Sequence, residues 1–163
     1  MQPVVDERLY RALLGFAATK GVAVTERGLN GARGESLVGE VRLQSGDHWS
    51  VHVSSLIHEL GHELLHDVHA RLEPGTRALH EQEAESVTAV VLGYLGYPTS
   101  VFSAYLRLWG ARPADVIRSM DRIAKGAGEI VAFVEGQADG STANVDGVDS
   151  SCQRVTVAGI SVA

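Results

Sequence analysis

The sequence has only one cysteine, Cys152, and this scarcity excludes two kinds of site. A lone cysteine cannot form an internal disulfide, and it cannot build a Cys-rich zinc site without partners. No segment reaches the run of about 20 apolar residues that a membrane-spanning helix requires. The amino-terminal residues include Asp6 and Glu7 and lack the basic and apolar regions of a signal peptide. We therefore expect a cytoplasmic protein without disulfides or membrane spans.

Positive charge is also in short supply. The 163 residues include 14 Lys and Arg against 20 Asp and Glu, and the formal net charge is -6. A surface that binds nucleic-acid phosphates non-specifically needs the opposite excess. The length corresponds to one domain, and an apolar content of 45% is ordinary for a globular protein with one core.

Hydrophobic periodicity predicts helices over residues 6–20, 49–69, 76–95, 100–109 and 113–135. Strands are predicted over residues 22–25 and 37–43, with a Gly-rich turn at 28–34 between them. The fold class is therefore α+β, a mainly helical compact domain with a small β-sheet next to helix 49–69. From Gly136 onward the chain is rich in Gly, Ser and Asp, which is typical of a flexible tail. We divide the chain into a domain at 1–135 and a tail at 136–163.

The residues most informative about chemistry are His58-Glu59-Leu60-Gly61-His62, an HExxH motif inside a predicted helix. Two histidines at this spacing lie one turn apart on one helix face and can hold one metal ion. Glu59 projects beside that ion, where it can take a proton from a water that the metal activates. The motif predicts amide hydrolysis with Glu59 as the general base. Zn²⁺ suits these ligands best, and ligand type alone leaves Mn²⁺ and Fe²⁺ open.

A catalytic zinc needs a third protein ligand and an open position for water. The helix predicted to begin at Thr76 carries Glu81 and Glu85 one turn apart on one face, whereas Glu83 points elsewhere. We favour Glu81 as the third ligand, with Glu85 hydrogen-bonded to the far nitrogen of a ligand histidine. The reverse assignment, with Glu85 on the metal, is the alternative.

Other histidines and several tyrosines lie near this motif in the sequence. His66 follows one turn after His62, and we expect it to interact with the terminal carbonyls of the helix rather than with the metal. His80 either stabilises an oxyanion in the cleft or lies at a solvated helix start. Three tyrosines could polarise a substrate carbonyl or serve as core aromatics, and the sequence does not choose among them: Tyr94, Tyr97 and Tyr105.

The segment HELGHELLH, from His58 to His66, together with Glu81-x-x-Ala84-Glu85, resembles the ImmA/IrrE-type metallopeptidases. It also resembles the related metallopeptidase-like domain of ArdC antirestriction proteins. Residues 37–43 are similar to the family's active-site edge strand, and residues 96–110 resemble ArdC-like members. The resemblance covers residues 22–135. It implies a zincin-like metallopeptidase domain over residues 1–135, with zinc on His58, His62 and Glu81 and with Glu59 as base.

The resemblance also implies a substrate. ImmA/IrrE-type peptidases cleave a partner transcriptional repressor, so the expected substrate is a DNA-binding repressor of mobile-element or stress genes. A second hypothesis is an ArdC-like antirestriction module that binds single-stranded DNA and keeps the metal for structure, and the net acidity counts against it. A third is a metal-stabilised interaction module without catalysis. The DNA hypothesis would use a mild basic cluster formed by Arg107, Arg112, Arg118 and Arg122.

Overall fold

The computed structural model describes residues 7–97 and 113–142. These residues form a mostly helical α+β fold with one small mixed sheet, as predicted. The helices are α1 (Glu7–Thr19), α2 (Trp49–Leu65), α3 (Val68–Leu72), α4 (Arg77–Tyr94) and α5 (Pro113–Thr142). The strands are β1 (Ala23–Arg27), β2 (Gly34–Ser36) and β3 (Glu40–Gln44). Within the described ranges, no helix combines the length and apolarity needed to cross a membrane.

The central strand of the sheet is β3, which pairs in parallel with β1 and antiparallel with β2. Val41 is the register partner of Val24 on one side and of Ser36 on the other. Val41 and Leu43 are fully buried and alternate with more exposed neighbours along β3, as expected for a strand with one face on the core. The sheet thus leaves β2 as an edge strand.

The strand prediction for residues 37–43 was wrong at its start. Residues 37–40 make a tight turn in which the Leu37 N–H donates to the Glu40 carbonyl. Val38 and Gly39 have positive φ angles of 35° and 87°, so the chain reverses there and β3 begins only at Glu40. The first strand of the resulting hairpin is β2, which begins at Gly34, the last residue of the predicted Gly-rich turn, and ends just before the predicted strand.

The helix predicted over residues 49–69 is divided in two. His66 has extended backbone angles (φ −127°, ψ 100°), so α2 ends at Leu65. Asp67 then begins α3, because its side chain accepts a hydrogen bond from the Ala70 N–H. At the other end of the chain, α5 continues to Thr142, so residues 136–142 of the predicted tail are helical. The predicted helix 100–109 and residues 143–163 lie outside the described residues.

Helix α2 occupies the centre of the fold and is packed against α1, α4, α5 and the sheet. Gly61 lets α2 and α4 approach closely, since a Cβ atom there would lie 3.1 Å from the Ala84 Cα. The fold therefore places the HExxH face of α2 directly opposite the acidic face of α4. The buried apolar core includes Leu13, Phe16, Val41, Leu43, Val53, Leu56, Ile57, Leu60, Val87, Val91 and Ile130.

Candidate metal centre

Two histidines of α2 and one glutamate of α4 converge on a single point. His58 Nε2 lies 3.2 Å from His62 Nε2 and 3.2 Å from Glu81 Oε2. His62 Nε2 lies 3.6 Å from the same Glu81 oxygen. The three ligand atoms therefore form a nearly equilateral triangle, and each carries a lone pair suited to a metal.

The size of this triangle matches a tetrahedral zinc site. At metal–ligand distances of about 2.0–2.1 Å, two ligand atoms of a tetrahedron lie about 3.3–3.4 Å apart. The three observed separations, 3.2, 3.2 and 3.6 Å, bracket that value. The donor set of two imidazoles and one carboxylate is also one that catalytic zinc uses. The residues present thus fit a zinc ion without rearrangement of the backbone.

Glu85 occupies a different position from Glu81. Its Oε2 atom lies 3.2 Å from His58 Nδ1, the nitrogen that points away from the triangle. A carboxylate there accepts the Nδ1–H of His58, so Nε2 is the nitrogen that can bind a metal once its proton is released. This geometry favours Glu81 over Glu85 as the third ligand, although the ligand assignment stays a prediction.

The charges at the site are strongly coupled. Burial alone would lower the pKa of His58, but hydrogen bonds to Glu81 and Glu85 outweigh it and raise that pKa to about 10. The hydrogen bond from His58, together with the nearby His62 ring, holds the pKa of Glu81 far below its usual range. Glu81 is therefore anionic at neutral pH, and a divalent cation would replace the proton that His58 carries.

Glu59 lies in α2 beside the triangle, where only 8% of the residue is exposed. Burial raises the pKa of this carboxyl, and the neighbouring His58 and His62 oppose the rise. Its side chain packs against the backbone of β2, because a Cβ atom on Gly34 would lie 2.7 Å from Glu59 Oε1. A carboxylate held in this way beside a metal is placed to exchange protons with a water.

A cleft of about 1150 Å³ opens over the triangle and Glu59. One wall consists of residues 31–37, which include β2, and the other includes Arg77, Thr88 and Leu92 of α4. Among the described residues β2 pairs with β3 alone, so the sheet borders the cleft with an edge strand. The strand predicted at 37–43 was expected to fill this position, and β2 fills it instead.

Glu63 fixes the β2 wall to α2. It accepts hydrogen bonds from Ser36 Oγ, the Gly39 N–H and Arg71 Nη2. Arg71 also donates to the backbone carbonyls of Ser36 and His66, so it bridges β2, the end of α2 and α3. These bonds hold the pKa of Glu63 below its ordinary value against the effect of burial. The sequence did not point to Glu63, since a Glu one turn after Glu59 has the pattern of a solvated helix face.

His66 is the residue that the sequence placed least well. Its ring does not interact with the helix carbonyls but is buried, with Nδ1 3.1 Å from His62 Nδ1 and Nε2 2.7 Å from Glu83 Oε2. His80 stacks on this ring with centroids 4.0 Å apart. The described residues that line the cleft do not include His80, and its place outside the lining disfavours the oxyanion role.

The three candidate tyrosines differ in where they lie relative to the cleft. Tyr97 lines the cleft. Tyr94 is 62% exposed and donates to Glu135 Oε1, so it belongs to the outer surface of α4 and α5. Tyr105 lies outside the described residues. Tyr97 is therefore the described tyrosine that could contact a substrate.

The basic cluster is divided as well. Arg122 donates to Glu83 through Nη2, so part of its charge is neutralised within the protein. Arg107 and Arg112 lie outside the described residues. Arg118, the other described member of the cluster, is exposed on α5.

Comparison with known proteins adds no relative. The chain matches no protein-family model, and neither the curated proteins nor the solved structures contain a significant match. The resemblance to ImmA/IrrE-type metallopeptidases therefore stays a prediction from the motifs, and support for a function comes from the geometry of the site.

Proposed function

We propose that this protein is a zinc-dependent metallopeptidase with a zincin-like domain of the ImmA/IrrE type. His58, His62 and Glu81 would hold the zinc, and Glu59 would act as the general base. The observation that carries the proposal is the triangle of Nε2, Nε2 and Oε2 atoms, whose sides of 3.2, 3.2 and 3.6 Å fit one tetrahedral zinc. The buried Glu59 beside that triangle extends the proposal from metal binding to hydrolysis.

The chemistry divides between the metal and the chain. When bound, zinc would polarise a substrate carbonyl and lower the pKa of a water towards about 7. Glu59 would take the proton from the attacking water as the new C–O bond forms, and would deliver it to the leaving nitrogen as the peptide C–N bond breaks. The nearby Gly34 backbone would limit the rotation of the Glu59 carboxylate and keep it near the reacting atoms.

The substrate that suits the cleft is an extended peptide segment. In the described part of the chain β2 borders the cleft without a second strand partner, and an extended chain can add to such an edge through backbone hydrogen bonds. We propose a protein substrate, with a DNA-binding repressor in the cytoplasm as the candidate that the motif resemblance suggests.

Cleavage of a complex mixture of unfolded peptides tests the proposal, because the mixture samples many sequences at once. The zinc-loaded chain is incubated with the mixture, and new termini are identified by mass spectrometry. We expect cleavage by the parent chain and its loss in Glu59→Gln, with zinc content unchanged. Glu73→Gln, an exposed substitution outside the cleft, serves as the control and should cut normally.

Two results would contradict the proposal. Equal cleavage by Glu59→Gln would show that this carboxylate is not the base. Zinc binding without cleavage, together with salt-dependent binding of single-stranded DNA, would support the ArdC-like alternative instead.

A further inference from the structure

His66 connects a proposed zinc ligand to a buried carboxylate. Its Nδ1 lies 3.1 Å from His62 Nδ1, and its Nε2 lies 2.7 Å from Glu83 Oε2. The His66 side chain is 0% exposed and that of Glu83 is 1% exposed, so water does not compete for the contact between them. The three side chains form a continuous hydrogen-bonded row that begins at the metal site and leads away from the cleft.

Helix α5 anchors the far end of this row. The second carboxylate oxygen of Glu83 accepts hydrogen bonds from Ser119 Oγ and Arg122 Nη2. A buried carboxylate with these two donors and the His66 ring around it stays ionised and has a fixed orientation. Glu83 can therefore only accept a hydrogen bond from His66.

The order of donors and acceptors along the row follows from this starting point. Because the Glu83 carboxylate accepts, His66 carries its hydrogen on Nε2. The charge of Glu83 is already balanced by Arg122, so the buried His66 ring is neutral and its bare Nδ1 can only accept from His62. The hydrogen of His62 is thereby fixed on Nδ1, and the lone pair of its Nε2 is left for a metal.

We infer that His66 and Glu83 are positioning residues that hold His62 in the tautomer and ring orientation required for zinc binding. The inference rests on the proposed zinc site. A carboxylate then orients each of the two ligand histidines. Glu85 contacts His58 Nδ1 directly at 3.2 Å, whereas Glu83 acts on His62 through the imidazole of His66.

Nitrogen-15 NMR on the full chain shows directly which ring nitrogen of His62 and of His66 carries the hydrogen. We expect His66 as the Nε2–H tautomer and His62 as the Nδ1–H tautomer, with a scalar coupling between the two Nδ1 nuclei across the hydrogen bond. The spectrum is recorded with and without zinc, so the assignment does not depend on enzymatic activity. A His62 that carries its hydrogen on Nε2 in the metal-free protein, or a His66 that carries it on Nδ1, overturns the inference.

Zinc affinity, measured by competition with a chelator, tests the consequence. His66→Leu removes the acceptor of the His62 Nδ1–H, and Glu83→Gln removes the charge that orients His66. Loss of such an outer contact typically weakens metal affinity about 10–100-fold, and we expect this for each variant. Ser86→Ala, a buried substitution on α4 that removes a bond to the Gln82 carbonyl, is the control and should leave affinity unchanged.

A double-mutant cycle separates this role from a general loss of structure. If Glu83 acts on zinc through His66, Glu83→Gln should have little further effect on affinity in the His66→Leu background. Additive losses would mean that each residue acts independently, and would overturn the inference. Failure of the parent chain to bind zinc would overturn the proposed function as well, whereas zinc binding unaffected by either variant would overturn only the positioning role.

Discussion

The backbone of Gly34 in β2 lies so close to the Glu59 side chain of α2 that residue 34 has no room for a side chain of its own. A Cβ atom on residue 34 would lie 2.7 Å from Oε1 and 2.9 Å from Cγ of Glu59, closer than real Cβ atoms come to other heavy atoms. The absence of a side chain at this position is therefore what leaves room for the proposed general base. One glycine in the wall of the cleft determines where the carboxylate can lie.

Substitution of Gly34 by alanine should expose this conflict. We expect Gly34→Ala to lower the free energy of unfolding by about 1–3 kcal/mol, because an added methyl group in a filled space forces neighbours to shift. In a Glu59→Ala background the same substitution should cost much less, since the clashing carboxylate is gone. Chemical denaturation of the four proteins in this cycle measures the difference.

Gly28→Ala provides the matched control for that cycle. A Cβ atom on Gly28 meets nothing within 4 Å, so the substitution should be nearly neutral. An equal cost for Gly34→Ala with and without the Glu59 side chain would show that the contact between them is not what excludes a side chain.

At the contact between α2 and α4, Gly61 should likewise tolerate no larger side chain. A Cβ atom there would lie 3.1 Å from the Ala84 Cα, a backbone atom that cannot rotate away. We expect Gly61→Ala to destabilise the protein and weaken zinc binding, because the helices that carry His62 and Glu81 would separate. Thermal unfolding and a chelator competition measure both effects.

Gly128→Ala in α5 is the comparison for Gly61→Ala. A Cβ atom added at Gly128 would meet nothing within 4 Å, so alanine should stabilise the helix by about 0.5–1 kcal/mol. A Gly61→Ala variant that is stabilised to the same extent would contradict the close approach of the two helices.

The pairing of Glu63 with the β2 hairpin should make stability depend on pH. Burial would raise the pKa of Glu63, but bonds from Gly39, Ser36 and Arg71 hold it below its ordinary value. A lowered pKa in the folded state means that the stabilisation is present above the ordinary value of 4.5 and is lost as pH falls through the lowered value.

Glu63→Gln tests this sign. We expect the variant to be less stable than the parent by about 1.5–3 kcal/mol at pH 7, as for hydrogen bonds to a charged group, and the gap to shrink below pH 4.5. Denaturation with a chelator present removes any contribution of metal release. Glu35→Gln is the control, since Glu35 is exposed and its nearest Arg42 nitrogen is 3.9 Å away. A gap that stays constant with pH would contradict the ion-pair account.

The sequence was most informative where local spacing decides geometry. The i, i+4 spacing of His58 and His62 places both rings on one face of any helix, and the same spacing brings Glu81 and Glu85 together. The two pairs of residues come together when the two helices pack with these faces toward each other. The motif favoured Glu81 as the ligand and Glu85 as its supporting carboxylate, and this assignment stays a prediction; Glu81 contacts His58 Nε2 and Glu85 contacts His58 Nδ1.

Features that depend on distant contacts were missed. The partner of His66 is Glu83, whose orientation depends on Ser119 and Arg122 in another helix, and no local pattern signals such a row. The edge strand was assigned to the wrong segment because residues 34–36 are weak strand formers by composition and gain their structure only by pairing with β3.

Metal content of the purified chain tests the central claim most directly. We predict about one zinc per chain by elemental mass spectrometry, as a three-ligand site requires, with loss of zinc in His58→Ala and Glu81→Ala. Glu85→Ala should keep the metal at saturating zinc and bind it more weakly, since Glu85 contacts only the far nitrogen of His58. Loss in Glu85→Ala with retention in Glu81→Ala would reverse the ligand assignment. No stoichiometric metal in the parent chain, even after reconstitution, would contradict the metallopeptidase proposal altogether.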